Sequence, residues 1–390
     1  MSYSGGTSRG RQLARAFDQK GYLHRFFTPS YGRKADNLPP FVVNMLFGEQ
    51  DIDLRKVRTS TMVRLLRSFM SRTAKIREAK PTQRYRVNEV IDHWVARSLD
   101  SGADIVMAEA QIALQTIRRA KDLGMTTVLD RTNSHIVYQS QIWSEENEEM
   151  GIEWEPNSAR VIEKGIAEYE EVDYIFALSS YVKRTFIDHG VAADKVLCVP
   201  TGIDLSPFRQ VEKGDDVFRV VYCGFLQPKK GTHFLLQAFD ELKLKNAELL
   251  LIGRVSQEIQ AVLEKYKGAY KHIGYVENTE LYKYYSQGDV FVIPSLEEGL
   301  AKVIIEAMAC GLPVIGSTNT GAEDVVREGQ DGFVVPIRDV ESLKDKIQYL
   351  YDNRARCREM GESAKQRVHD DFTLDDYVGR VLDAFSLFAK

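Results

Sequence analysis

The sequence predicts an α/β protein made of two Rossmann-like, doubly wound domains that face one another across a cleft. Three observations carry that expectation. At 390 residues the chain exceeds one ordinary core, so two domains of roughly 150–200 residues are the natural division. Short apolar runs alternate with amphipathic stretches from Ala103 onward, and the alternation restarts at Phe218 after a break. Strand, helix, strand in that rhythm builds a parallel sheet with right-handed crossovers.

In the first unit, Asp104–Ala108 (DIVMA) reads as a buried strand and Ile112–Leu123 as a helix closed by Gly124. Met125–Leu129 is the next strand and Asp173–Leu178 another. A helix then runs from a Ser179–Ser180 cap to Gly190, and the strand Lys195–Val199 stops at Pro200. A doubly wound domain normally opens with a strand that feeds the first glycine loop. Here only Met1–Ser4 precede Gly5–Gly6 and the helix Arg9–Lys20, so that first strand is expected to be missing or severely shortened, through truncation or an atypical start. Thr201–Asp216, with Gly202, Pro207, Gly214 and two adjacent aspartates, reads as the interdomain connection. The second unit has strands at Phe218–Tyr222, Glu248–Ile252, Asp289–Ile293, Pro313–Ile315 and Gly332–Val335. Its helices start at Thr232 and Ser256 and span Lys302–Cys310. Ligands in such folds bind beyond the carboxyl ends of the strands, which directs attention to the cleft.

Hydrophobic content of 44% and charged content of 28% suit a globular chain and argue against long disorder. With 52 Lys and Arg against 56 Asp and Glu, the net charge of −4 predicts no general affinity for nucleic acid. Cys198, Cys223, Cys310 and Cys357 show no CxxC spacing, which fits reduced thiols in a cytoplasm rather than a disulfide framework or a zinc site. No apolar h-region follows the N-terminus, and no window approaches the ~20 apolar residues of a membrane span. The expectation is a cytoplasmic protein, at most peripheral to a membrane. Charge is uneven, however. Leu54–Arg86 holds eleven bases and the single acid Glu78, leaving 41 of the bases and 55 of the acids elsewhere. Leu65, Leu66, Phe69 and Met70 lie between those cations. The segment reads equally as a surface for anionic lipid, a solvated helical face, or a grip on an anionic polysaccharide.

The densest chemistry lies at Pro294–Pro313 (PSLEEGLAKVIIEAMACGLP). A strand ends at Pro294, a turn carries Glu297, Glu298 and Gly299, and a helix begins near Leu300. A helix N-terminus presents unpaired N–H groups and about half a positive charge, a ready site for phosphate. Glu306 lies one to two turns inside, among Val303, Ile304, Ile305, Ala307 and Met308. A carboxylate there is costly to bury unless hydrogen bonded, and ribose hydroxyls would supply two donors. A surface glutamate is the competing reading. In Cys223–Gly231 (CGFLQPKKG), Gly224 and Gly231 permit backbone approach, while Lys229 and Lys230 offer cations to a diphosphate; alternatively this is a solvated loop. His135 follows a strand in a polar turn, DRTNSH, at the edge expected to face the cleft, although a lone histidine is more often structural.

Taken together, Gly5–Gly6, His135, Pro200–Asp204 with Phe208, Gly224-x-Leu226-x-Pro228-x-Lys230–Gly231 and Glu298-x7-Glu306 with AMACGLPVI resemble glycosyltransferase family 4. These are retaining enzymes of the GT-B fold that use nucleotide-activated sugars. The resemblance is strongest over about 170–350 and fainter before 100. It implies that Glu298 holds the donor sugar near its reacting carbon, Glu306 binds the ribose, and Lys230 neutralises the diphosphate. It also implies that the amides of Gly299 and Leu300 cradle sugar and distal phosphate, and that Gly274–Tyr275–Val276 meets the base. His135 would contact the donor sugar, and Gly6 and Gly224 would line the site. Residues 1–200 would then be the acceptor-side domain, 201–370 the nucleotide-sugar domain, and 371–390 a helix packing back on the first. Two departures stand out. Phe225 occupies the position of a usual arginine, with Lys229 as a substitute cation, and Ala301 replaces a frequent glycine.

The implied reaction is retaining transfer to a glycan or lipid-linked acceptor, in cell-surface polysaccharide or glycolipid synthesis. The donor is a nucleotide-diphosphate sugar, and no metal or other cofactor is expected. The competing readings are a nucleotide-sugar epimerase of like architecture and a non-catalytic nucleotide-sugar-binding partner. A nicotinamide dehydrogenase is disfavoured, because no strand feeds a GxGxxG with an acid ~20 residues on.

Overall fold

The computed structural model describes residues 1–5, 7–29, 52–60, 63, 81–153 and 157–388. The first half contains β1 (Ser2–Ser4), α1 (Ser8–Gln19), β2 (Arg25–Phe27), β3 (Val57–Arg58), α2 (Pro81–Ser98), β4 (Ile105–Glu109) and α3 (Leu114–Asp122). It continues with β5 (Thr126–Arg131), α4 (Ile136–Glu149), α5 (Ala159–Glu171), β6 (Tyr174–Ala177), α6 (Ser180–Asp188) and β7 (Val196–Cys198). The second half contains β8 (Phe218–Cys223), α7 (Thr232–Leu242), β9 (Ala247–Ile252), α8 (Gln260–Lys265), β10 (Lys271–Gly274), α9 (Leu281–Tyr285), β11 (Val290–Ile293) and α10 (Lys302–Ala309). There follow β12 (Val314–Ser317), α11 (Ala322–Val325), β13 (Gly332–Val335), α12 (Val340–Asp352), α13 (Arg354–Asp371) and α14 (Leu374–Ser386).

Two parallel sheets result among the described residues. The seven-stranded sheet runs β3-β2-β1-β4-β5-β6-β7 and the six-stranded one β10-β9-β8-β11-β12-β13. Each is doubly wound, with its order reversing between β1 and β4 or between β8 and β11. Those reversals leave crevices at the carboxyl ends of the strands, where ligands of such sheets bind.

The first strand is present, though only three residues long. Ser2, Tyr3 and Ser4 pair in parallel with Arg25–Phe27 on one side and Val106–Ala108 on the other. So short a strand holds a central position because both of its edges are paired and Tyr3 is fully buried. Its hydroxyl donates to Asp130 at 3.0 Å. Strands β2, β3 and β10 were not expected. Each has only two to four residues, and Lys271–Ile273 of β10 are exposed, so none shows an apolar run.

The second sheet is covered on both faces. Val220, Tyr222, Leu249 and Leu251 pack with α7 and α12 on one side, while Val221, Leu250, Phe291 and α10 pack on the other. The chain then returns. Tyr377, Val378, Val381 and Phe385 of α14 join Tyr3, Leu13, Phe17, Met107 and Phe176 in one apolar cluster of the first half. Thr373 caps that helix in a reciprocal pair with Asp376, which fixes where it begins.

Candidate active site

Both crevices open onto one cavity of about 360 Å³. Thr7, Arg9, Thr132 and Asn133 line it from the first half. From the second half come Tyr222, Cys223 and Gly224 after β8, Lys230, Ile293 at the end of β11, and the run Glu298–Val303.

The loop that carries Lys230 is shaped by contact with the strand end beside it. Pro228–Lys230 form one turn of 3₁₀-helix, and Gly231 adopts φ +63° before α7 starts. A Cβ there would lie 2.1 Å from the carbonyl oxygen of Pro294, so only glycine lets the two loops touch. Lys230 Nζ consequently forms an ion pair with Glu298 Oε1. Burial and the adjacent Lys229 push the Lys230 pKa down, with Glu297 pulling it up. A buried ammonium in that condition gains strongly from further negative charge.

Glu298 is held by its own amide, which donates to Asn319 O at 2.9 Å, and by Ser295 Oγ at 3.4 Å. Ala301 N donates to Thr320 O at 3.0 Å, whereas the amides of Gly299 and Leu300 donate to no described residue. Gly299 also sits hard against the first half. A Cβ on it would come 1.6 Å from Thr132 O.

Glu306, at 8% exposure, is no surface residue. Tyr285 OH donates to its Oε2 at 3.1 Å and Asn278 Nδ2 to its Oε1 at 3.2 Å. Burial raises its pKa, and both hydrogen bonds oppose that rise by favouring the carboxylate. Asn278 lies just beyond Gly274–Tyr275–Val276, so the loop at the end of β10 also orients Glu306. Tyr275 is 57% exposed, with the Arg254 guanidinium 4.7 Å from its ring centroid.

Five expected residues, Glu306, Tyr275, Val276, Lys229 and His135, are not among those that line the cavity. Lys229 turns toward the first half, its ammonium 4.0 Å from the ring centroid of Trp143 on α4. It is not among the cavity-lining residues. His135 is likewise not among them, and is 4% exposed. Its ring stacks on His189 at 4.4 Å beside Tyr169 and Phe186, and its Nδ1 accepts the Val137 N–H at 3.4 Å as the N-cap of α4. Burial, His189 and Arg131 depress its pKa to about 3, which keeps it neutral. Asn133 and Thr132 of the same loop reach the cavity instead. Gly6 lies outside the described residues, as do residues 61, 62 and 64–80 of the basic segment. At that segment's described start, Arg55 pairs with Asp53 at 2.8 Å and Lys56 with Asp18 at 2.6 Å.

Sequence reasoning missed the residue that fastens the turn. Glu297 is 2% exposed and accepts from Ser134 N at 3.0 Å, Ser134 Oγ at 2.8 Å, Gln139 Nε2 at 3.1 Å and Asn133 Nδ2 at 3.4 Å. It therefore joins the two halves beside the cavity. Adjacent glutamates look alike in sequence, and only the facing half separates their roles. Arg9, Lys302, Asn133, Asn278 and Tyr285 were also missed: Lys302 lies within the Glu298-x7-Glu306 run and Asn133 within DRTNSH without being singled out, and the other three reach the site through the fold.

Residues 206–367 match the family model described as Glycosyl transferases group 1. The chain carries a glycosyl transferases group 1 domain. That domain holds Lys230, Glu298 and Glu306. The capsular polysaccharide biosynthesis glycosyltransferase CapM of Staphylococcus aureus is 28% identical over 218 residues, covering 51% of this chain and 57% of that protein. A GDP-mannose-dependent monoacylated alpha-(1-6)-phosphatidylinositol monomannoside mannosyltransferase of Corynebacterium glutamicum is 26% identical over 289 residues, 68% of this chain and 71% of that one. The chain thus spans little more than half of CapM.

Likeness in fold extends further. Sucrose-phosphate synthase from Thermosynechococcus elongatus has a TM-score of 0.72 at 19% identity, covering 99% of this chain and 98% of that one. Anabaena Alr3699/HepE, solved in complex with UDP-glucose, has a TM-score of 0.66 at 16% identity over 99% and 98%. The group 1 domain and the half before it form a GT-B fold. Among the described residues no group of three or more His, Cys, Asp or Glu is placed to hold a metal ion. No described helix is long and apolar enough to cross a membrane.

Proposed function

We propose that the protein transfers a sugar from a nucleotide-diphosphate sugar to a glycan or lipid-linked acceptor, with retention at the anomeric carbon. The observation that carries this reading is the single cavity in which Lys230, Glu298 and the open amides of Gly299 and Leu300 meet, with Glu306 anchored nearby. Lys230 and the amides would take the charge that develops on the departing diphosphate, while Glu298 turns from Lys230 to the sugar hydroxyls. Preorganised donors of that kind supply most of the catalysis in such sites. The neighbouring carboxylate, Glu297, is committed to Ser134, Gln139 and Asn133, and Glu298 is the only carboxylate among the described residues that line the cavity, which argues against a double displacement. A front-face route fits. The acceptor oxygen bonds to the anomeric carbon on the side from which the diphosphate leaves, and its proton passes to a phosphate oxygen. No metal ion is required in this scheme.

The relatives' names support cell-surface polysaccharide or glycolipid synthesis, and a position at the cytoplasmic face of a membrane suits a lipid-linked acceptor. Vesicles of rising anionic lipid content should sediment the protein at low salt and release it at high salt; no binding at low salt rejects attachment through 54–86.

Thermal shift against UDP-, GDP- and ADP-sugars tests the donor, since a bound ligand stabilises the fold by mass action. One of the three should raise the melting temperature, and nucleoside diphosphate should be released only when acceptor is added. Conversion of the donor into an isomeric nucleotide sugar without acceptor would favour an epimerase, and no shift with any donor would overturn the reading. Lys230→Ala should lower turnover far more than stability. A collapse of stability with normal activity in the folded fraction would make that lysine structural.

A further inference from the structure

The cavity wall carries more positive charge than Lys230 alone. Arg9, in the first turn of α1, is 4% exposed and lines the cavity. Its Nη2 pairs with Asp130 at 2.5 Å, but its Nη1 is buried and has no hydrogen-bond partner. An unpaired buried guanidinium donor is costly, and native structures rarely leave one unexplained. Lys302 approaches from the opposite half as the first residue of α10, and ion-pairs with no described residue. Burial and the nearby Arg9 lower its pKa, with Glu306 and Asp130 opposing, so the two cations stand close enough to repel each other. Both line the same cavity as Gly299 and Leu300, whose amides are open. Two like charges held together in a half-buried wall, one with an orphaned donor, form a surface that a polyanion would satisfy.

We propose that Arg9 and Lys302 complete a three-cation clamp with Lys230 for the donor's diphosphate, taken from both halves of the molecule at once. The inference rests on the nucleotide-sugar reading above and assigns two residues that no motif identifies. It gives the orphaned Nη1 a phosphate oxygen and relieves the Arg9–Lys302 repulsion. Lys229, turned to Trp143, has no part in it.

Calorimetric titration of UDP, GDP and ADP into wild type, Lys302→Met and Lys302→Arg tests the clamp, with nucleoside binding followed by ligand-observed NMR. For whichever diphosphate wild type binds, Lys302→Met should weaken affinity about tenfold, equivalent to ~1.4 kcal/mol. It should also flatten the salt dependence and leave the matching nucleoside unaffected, and Lys302→Arg should restore the affinity. Arg9→Lys keeps a charge opposite Asp130 but withdraws the free nitrogen. It should weaken diphosphate binding severalfold without lowering the melting temperature by more than a few degrees. Wild-type binding that survives Lys302→Met and Arg9→Lys unchanged would overturn the clamp while leaving the nucleotide-sugar reading intact. Wild type that binds none of the three diphosphates would overturn the reading, and the clamp with it.

Discussion

The carboxylate of Glu306 has about four lone-pair sites when ionised, and Tyr285 and Asn278 occupy two. The remainder suit the vicinal hydroxyls of a ribose, with the oxygens already oriented. Glu306→Ala should therefore weaken nucleoside diphosphate binding by about 1–3 kcal/mol in calorimetric titration. Unchanged affinity would remove the assignment. His135 yields a prediction of another kind. Its folded pKa of about 3 lies below the ordinary 6.5, so between those values the unfolded chain binds the proton more readily. The stabilising contribution is complete above pH 6.5 and declines as pH falls toward 3, by up to about 1.4 kcal/mol per pH unit. Urea unfolding at about pH 5 and pH 7 should show that loss in wild type. His135→Asn keeps a cap acceptor and cannot titrate, so it should show less of the loss; an equal loss in both would assign the proton elsewhere.

At the scale of elements, α14 is held by an aromatic seam. Phe385 stacks on Phe17 and on Phe176, each at 5.8 Å between ring centroids. Phe385→Ala should cost about 3–5 kcal/mol of unfolding free energy, measured by urea titration, because it opens a cavity between α1, β6 and α14. A cost under about 1 kcal/mol would show that this seam does not hold the helix. How far such elements could be read beforehand depended on length and burial. Strands such as Phe218–Cys223, buried at every position, announce themselves as apolar runs. Ser2–Ser4 does not, since its place at the centre of the sheet comes from Phe26 and Met107 on either side. The site divides the same way. Lys230, Glu298 and Glu306 follow β8 and β11 at fixed spacings, so their nearness in the fold could be read from the sequence. Arg9 and Asn133 come from the other half, and spacing does not say whether a side chain meets the cavity or, like Lys229 and His135, turns to Trp143 or His189.

At the scale of the molecule, the halves are latched on the side of α4. Besides the four bonds to Glu297, Glu146 on α4 accepts from Arg338 Nε at 3.0 Å and pairs with His233 Nε2 at 2.7 Å. Ser180 donates to Asp324 through both its amide and its hydroxyl. Glu297→Ala would leave the buried donors of Ser134 and Gln139 unpaired, and water is their simplest replacement. Small-angle scattering should then give a radius of gyration above the ~21 Å of a compact chain of this length. An unaltered profile would mean that the remaining bonds suffice. The return of α14 to the first half has a consequence for how the protein is made. Its Tyr377, Val381 and Phe385 complete an apolar cluster that otherwise ends at Val199, so the second half is, in effect, threaded into the first. A ribosome adding about 5–20 residues per second leaves the unfinished cluster uncovered for roughly 10–40 s while that stretch is synthesised. During that interval Phe17 and Phe176 must be shielded by something other than their native partner, which makes the nascent first half a natural client of chaperones.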